Sequence, residues 1–273
     1  MKILAWDTSS KAGCVVAVDW SDGDSLGAGL SQIRLVAEFA LNVEATHSER
    51  LLWAIHQVLV SARWTLDDVD GFAVGTGPGS FTGLRIGVTT ARTLAHTAGK
   101  PLAQFSSLAA LARPVARYFS AGSEKVLVIA ATDACKGELF ALWGEAGEAQ
   151  RCVVRRNGVD CLLWSPEVCE EVLTPDQLLE KLMPRLDGVD SKVGWAVVGE
   201  GVGRYPALWD RLPQNQKRIF PFPCANQVEG RVLGAMAYEA FQLQKTWAAL
   251  EVYPRYLRAS DAELKLRARL AAQ

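Results

Sequence analysis

Three groups of residues in this chain could do chemistry: a glycine-rich run, three histidines, and scattered serines and cysteines. The run is Gly75-Thr76-Gly77-Pro78-Gly79-Ser80-Phe81-Thr82-Gly83-Leu84-Arg85-Ile86-Gly87. Glycines after a strand and before a helix suggest a phosphate cradle, because bare backbone amides can close on an anion there. The standard cradles are absent, however. A P-loop ends in a lysine and a hydroxyl residue, and this run has no lysine. The dinucleotide fingerprint needs a glycine where Ser80 stands. A helical metal pair needs histidines four apart, whereas nine residues separate His47 from His56, and His96 is remote. Ser9, Ser10 and Ser80 fall in turns, but Gly77 to Phe81 does not fit the G-x-S-x-G nucleophile elbow. Cys152, Cys161 and Cys169, spaced by nine and eight, match no common zinc pattern. No catalytic residue and no metal site is predicted.

The elements that carry these residues follow from hydrophobic periodicity. Ile3 to Trp6 is an apolar strand broken at Asp7, and Cys14 to Val18 returns from the turn. Ser21 to Gly29 is a loop rich in glycine, aspartate and serine. Thr46 and Glu49 have capping-box spacing, and Leu51, Ile55, Val58, Leu59 and Ala62 then share one face, predicting a helix from Ser48 to Arg63. Gly71 to Gly75 is a strand, and Ser80 to Ala98 is a second helix. Val126 to Ala131 and Glu138 to Trp143 are strands, with shorter ones at Arg151 to Arg155, Cys161 to Trp164 and Trp195 to Val198. Gly199 to Gly203 is a glycine turn, and Gly230 to Lys245 and the tail from Ala259 are helical. Strands interspersed with helices make the chain α/β, and the early hairpins make its sheets mixed.

Composition narrows the class. The chain has 273 residues, 49% hydrophobic and 22% charged, with net charge −1, as expected of a globular protein with a real core. Near-neutral charge argues against a domain that grips nucleic acid alone. No apolar stretch approaches the ~20 residues of a membrane span, and the apolar run before Asp7 is too short for a signal peptide. The six cysteines form no C-x-x-C pair and read as reduced cytosolic thiols.

Two patterns bear on organisation. Both halves read as apolar strand, aspartate, polar turn, glycine, apolar strand, at Asp7 and again at Asp133. The aspartate-to-glycine spacing is six in one and four in the other, so the copies are either related halves or two ordinary hairpins. Gly83, Gly87, Ala91 and Ala95 recur every four residues and form a ridge of small side chains along one helix. Each exposed helical glycine costs about 1 kcal/mol relative to alanine, so such a ridge makes sense where another backbone comes close. That backbone belongs either to the same chain or to a helix of a second subunit.

Five segments in this order carry a resemblance. They are Ile3-Leu4-Ala5-Trp6-Asp7-Thr8-Ser9, His47-Ser48-Glu49-Arg50-Leu51-Leu52, Gly75 to Gly87, Asp133-Ala134-Cys135-Lys136-Gly137-Glu138, and Pro254-Arg255-Tyr256-Leu257-Arg258. Together they resemble the TsaB (YeaZ) family of bacterial tRNA threonylcarbamoyladenosine biosynthesis proteins, from Met1 to about Arg258. Trp20 to Ala45 is longer than usual for that family, and Gly144 to Val193 matches only loosely.

The resemblance implies a two-lobed actin-like ATPase fold (ASKHA, ribonuclease H-like). The N-terminal lobe would be residues 1–115 and the C-terminal lobe 116–245, with a tail helix in 246–273 packing back on the first lobe. It implies a cytoplasmic, non-catalytic subunit without resident cofactor, because the catalytic paralogue's H-x-x-x-H metal pair is missing. The partners implied are that metal-bearing TsaD-like paralogue, a TsaE-like accessory ATPase, tRNA through the complex, and a second copy when the chain is alone. Pairing would use the two N-terminal-lobe helices, through Leu51, Leu52, Ile55, Leu59, Gly83, Ile86, Gly87, Thr90, Ala91 and Leu94. Asp7, Thr8, Ser9, Asp133, Gly137, Gly199 and Gly201 would line a degenerate nucleotide cleft, open at most to weak ATP or ADP with magnesium.

Overall fold

The computed structural model describes residues 1–20, 33–42, 47–120, 126–146, 153–156, 159–162, 170–186, 194–214 and 227–258. Strands β1 (Lys2–Asp7), β2 (Ala12–Asp19), β3 (Arg34–Asn42), β4 (Gly71–Gly75) and β5 (Leu102–Phe105) form one sheet in the order β3-β2-β1-β4-β5. β1 runs antiparallel to β2 and parallel to β4, and β4 is parallel to β5. Strands β6 (Val126–Cys135), β7 (Glu138–Ala146), β10 (Glu171–Leu173) and β11 (Gly194–Val198) form a second sheet in the order β10-β7-β6-β11. There β6 is antiparallel to β7 and parallel to β11, and β10 is antiparallel to β7. The second sheet thus repeats the first without its last strand. The recurrence at Asp7 and Asp133 marks two related lobes, and the chain has the ribonuclease H-like, actin-like ATPase architecture.

Side chains alternate between the faces of the sheets except at the irregularities by Ala17/Val18 and Asp133/Cys135, and that alternation builds the layers. Ile3, Ala5, Val16 and Val18 face inward with Val126, Val128 and Ala130, in a core that joins both lobes. Leu4, Trp6, Val15 and Ala17 face outward beneath α1 (His47–Ala62) and α2 (Phe81–Ala98). Leu127, Ile129, Trp195 and Val197 do the same beneath α4 (Pro175–Leu186) and the single turns α5 (Gly201–Arg204) and α6 (Pro206–Trp209). Two helices cross between the lobes. α3 (Ser107–Ser120) follows the first sheet yet packs on β6, β7 and β11, while α7 (Gly230–Gln242) follows the second and packs on β1, β2 and β5. Arg113 of α3 and Glu239 of α7 pair where these helices meet. Segment 246–258 then returns to the first lobe, where Trp247 bridges Leu102 and a 3-10 turn at Ala249–Glu251 lies on α2.

Several boundaries differ from the sequence reading. The two short strands expected near Arg151 and Cys161 lie at β8 (Val153–Arg156) and β9 (Val159–Leu162), paired only with each other. The turn at Gly199 to Gly203 winds into α5. The last helix stops at Gln242 because Leu243 leaves the helical region and Gln244 adopts φ 54°. Thr46, the whole predicted loop from Ser21 to Gly29, and the tail from Ala259 lie outside the described residues. Among the described residues no helix is long and apolar enough to cross a membrane.

Candidate functional site

Each lobe places an aspartate at the end of its first strand, and each aspartate folds its own turn in the same way. Asp7 Oδ1 accepts the Ser9 amide at 2.9 Å, and Asp133 Oδ1 accepts the Cys135 amide at 2.9 Å. Beyond that bond the two sites diverge. Asp7 is fully buried, and its oxygens also accept the Ser9 hydroxyl at 2.6 Å and the Ser107 hydroxyl at 2.6 Å. A Cβ on Gly75 would come within 1.8 Å of Asp7 Oδ2, so only glycine fits beside it. Three hydrogen bonds hold this buried carboxylate in place inside the first lobe.

The space over the first turn is filled by the start of α2. The Ser80 amide donates to the Ser9 carbonyl at 2.6 Å, and the Thr8 hydroxyl donates to the Gly83 carbonyl at 2.7 Å. A Cβ would meet the Ser9 carbonyl at 2.3 Å from Gly79, the Thr8 carbonyl at 2.0 Å from Gly83, and Thr8 Oγ1 at 2.2 Å from Gly87. Trp6 Nε1 donates to the Gly87 carbonyl at 3.0 Å. The two glycines of the small-residue ridge therefore lie against the chain's own first turn, and Ala91 and Ala95 continue the ridge into the core beneath the helices. Gly83, Gly87 and Ala91, expected as contact residues for another subunit, are buried within the lobe. Leu51, Ile55 and Leu59 are buried with them beneath α1. Of the expected interface, Leu52 is 58% exposed, and Ile86, Thr90 and Leu94 are half-buried. The sequence reading overlooked Trp53 and Val60, which are 51% and 58% exposed beside Leu52.

A cleft of about 970 Å³ opens between the lobes. Ser9, Lys11, Ser80, Asp133, Glu200, Arg204 and Arg255 are among the residues on its walls. Asp133 accepts the Tyr205 hydroxyl at 2.9 Å and lies 3.5 Å from Arg204 Nε. Burial, and then Asp133, push the Tyr205 phenol up to about 12, so it stays a donor at neutral pH. Asp7 and Thr8 are not on the cleft wall, because their side chains are spent inside the first lobe. Gly199 and Gly201 press on the Ala131 carbonyl, leaving Glu200 and Gly203 to face the cleft. Gly137, at φ 82°, turns the hairpin tip away with nothing within 4 Å of an added Cβ.

Segment 252–258 straps the cleft rim. The Arg255 amide donates to the Thr76 carbonyl at 2.8 Å, and its guanidinium lies 2.9 Å from Glu170 Oε2. Glu170 also accepts the Ser106 hydroxyl; burial holds its carboxyl above the usual range, opposed by Ser106 and Arg255. Tyr256 OH accepts Arg85 Nε at 3.1 Å, and Arg258 grips the Ala134 carbonyl and Glu138. The free thiols differ: Cys14 is buried, its pKa raised by that burial and by Glu38, and Cys135 is exposed at the cleft. Among the described residues no cluster of three His, Cys, Asp or Glu side chains could hold a metal.

Fold and site define a two-lobed α/β protein of actin-like fold whose first aspartate turn is closed by its own chain. A family model described as TsaD, tRNA N6-adenosine threonylcarbamoyltransferase, matches residues 39–152. The tRNA threonylcarbamoyladenosine biosynthesis protein TsaB of Escherichia coli (strain K12) is 35% identical over 268 residues, covering 97% of this chain and 98% of that protein. The Haemophilus influenzae protein of the same name is 29% identical over 259 residues, 94% of each. The solved structure of YeaZ from Pseudomonas aeruginosa superposes with a TM-score of 0.65 at 26% identity, covering 94% of this chain and 99% of that one. This chain belongs to the TsaB family.

Proposed function

We propose that this protein is a scaffold subunit of the machinery that makes threonylcarbamoyladenosine in tRNA. It acts in the cytoplasm by binding a TsaD-like catalytic paralogue, with a TsaE-like ATPase completing the assembly. The complex transfers threonylcarbamoyl to an adenosine next to the anticodon, and no atom of this chain enters the reaction. Alone, the chain pairs with a second copy through the same helices. The observation that carries this reading is the buried Asp7 carboxylate, hydrogen-bonded within its own lobe, absent from the cleft wall and closed over by the N-terminus of α2. A cleft built to hydrolyse a nucleotide needs that aspartate free, whereas a scaffold needs only the outward face of α1 and α2, where Leu52 and Trp53 stand exposed.

Reconstitution tests it. The paralogue, the ATPase, a threonylcarbamoyl-adenylate supply and tRNA are incubated with and without the chain, and digested tRNA is read by mass spectrometry. Product should appear only with the chain present and should survive Asp133→Ala. Leu52→Asp with Trp53→Ala, folded by circular dichroism, should abolish it. Equal product without the chain would end the scaffold reading. A second reading, weak ATP or ADP binding with magnesium between the lobes, draws on Thr132 Oγ1 and Arg255 Nη1, which are buried at the cleft and have no hydrogen-bond partner among the described residues. Calorimetry with ATP and magnesium at high protein concentration decides it; no heat excludes it.

A further inference from the structure

The outward face of α2 is cationic, and aromatic residues of the C-terminal strap hold its charges in place. Arg85 and Arg92, seven residues apart, fall on one stripe of the helix. Arg85 lies over the Phe81 ring at 4.1 Å from its centroid and donates to Tyr256 OH. Phe81 and Tyr256 are themselves in contact, with centroids 4.5 Å apart. Arg92 lies over the Tyr253 ring at 4.8 Å and donates to the Leu250 carbonyl at 3.2 Å. Among the described residues neither guanidinium has a carboxylate within ion-pair distance. Beside them Leu250, Tyr253 and Tyr256 are 54%, 60% and 41% exposed. Ordered arginines on exposed tyrosines, next to apolar side chains, are what the energetic centre of a protein interface is made of.

From this we infer that the docking surface extends beyond α1 and α2 onto the strap, and that its occupant is a different protein presenting carboxylates opposite Arg85 and Arg92. The inference rests on the scaffold reading and specifies its partner. A second copy is a poor match. α2 contains no acidic residue, and the surface offers two acidic residues in all, Glu49 in α1 and Glu251 in the 3-10 turn, against the two arginines. A symmetric pairing of these helices sets the same surface against itself, so the guanidiniums meet few opposing charges. A partner with acidic residues there is selected over the homodimer by charge, which sets specificity and encounter rate more than raw affinity. Nucleic acid fits less well, because the stripe borders the apolar Leu250 and the half-buried Ile86 and Leu94.

The test uses the full chain and the TsaD-type transferase of the same genome. Kd is measured for the wild type, Arg85→Glu/Arg92→Glu, Arg85→Lys/Arg92→Lys, the single Arg85→Glu, and Arg185→Glu on the exposed side of α4 as a control whose charge change equals that of the single variant. The glutamate pair should weaken binding at least about tenfold and flatten its salt dependence. The lysine pair should retain most of the affinity, Arg185→Glu should match the wild type, and light scattering should show the homodimer undiminished. Unchanged Kd for the glutamate pair, with wild-type binding intact, overturns the inference and spares the scaffold reading. So does loss of tRNA retention with transferase affinity preserved, which would assign the stripe to phosphates. Absence of wild-type binding removes the docking reading and this inference together.

Discussion

At the residue scale, two chemically similar aspartates have opposite fates. Asp7 and Asp133 both close an i to i+2 turn, yet Asp7 has two serine hydroxyls around it while Asp133 has a tyrosine, an arginine and the cleft. The glycines enforce the difference, since Gly79, Gly83 and Gly87 let α2 lie directly on the first turn. Gly83→Ala and Gly87→Ala should each destabilise folding by about 2–3 kcal/mol, because the methyl meets a carbonyl or hydroxyl oxygen of a buried turn that cannot move aside. Gly203→Ala has nothing within 4 Å and should stay within about 0.5 kcal/mol of the wild type. Urea denaturation compares them. A stable Gly83→Ala that fails only to pair with a partner would restore the ridge to an intersubunit role. Spacing revealed the ridge and its need for a close neighbour. It could not reveal which backbone came close, because Thr8 and Gly83 approach only once β1 and β4 have paired.

At the element scale, what was legible depended on whether an element's partner lies nearby in sequence. Strands β1, β2, β4, β6, β7 and β11 announce themselves by apolar runs, and α1 and α2 by periodicity and caps. α3 was not distinguished from its surroundings. Its Pro114 and the run of alanines blur its pattern, and its apolar face serves the other lobe's sheet. β10 is three residues long and exists by pairing with β7, which no local signal encodes. The strap has no regular structure beyond one 3-10 turn, so only its residues were visible, not their function. That function is testable: Arg258 is what fastens the strap to the second lobe's hairpin. Arg258→Ala should raise hydrogen exchange at amides 133–138 by about tenfold or more while leaving β1 and β4 unchanged. Exchange unchanged at that hairpin would mean that Arg258 does not hold it and that the strap meets the second lobe through Arg255 and Glu170 instead.

At the scale of the whole molecule, the lobes are joined by an exchange of helices rather than by a hinge alone. α3 and α7 each leave their own sheet to cover the other, so the inner faces of both sheets share one core with them. Relative motion of the lobes must slide these helices past each other, and the Arg113–Glu239 pair sits where they meet. Arg113 is 7% exposed at its side chain and Glu239 20%, so each charge depends on the other for solvation. Arg113→Met should cost about 3 kcal/mol, because it leaves a largely buried carboxylate unpaired. Arg113→Met with Glu239→Leu should recover most of that loss, since an apolar pair of similar volume needs no compensation. If the pair contributes only packing, the two losses add and no recovery appears in the double-mutant cycle. If it also fixes the lobes' relative angle, the recovered variant will be as stable as the wild type yet bind the transferase less well. The α2 face and the strap belong to one lobe while Arg258 reaches the other, so a change of angle pulls on the surface that the partner reads.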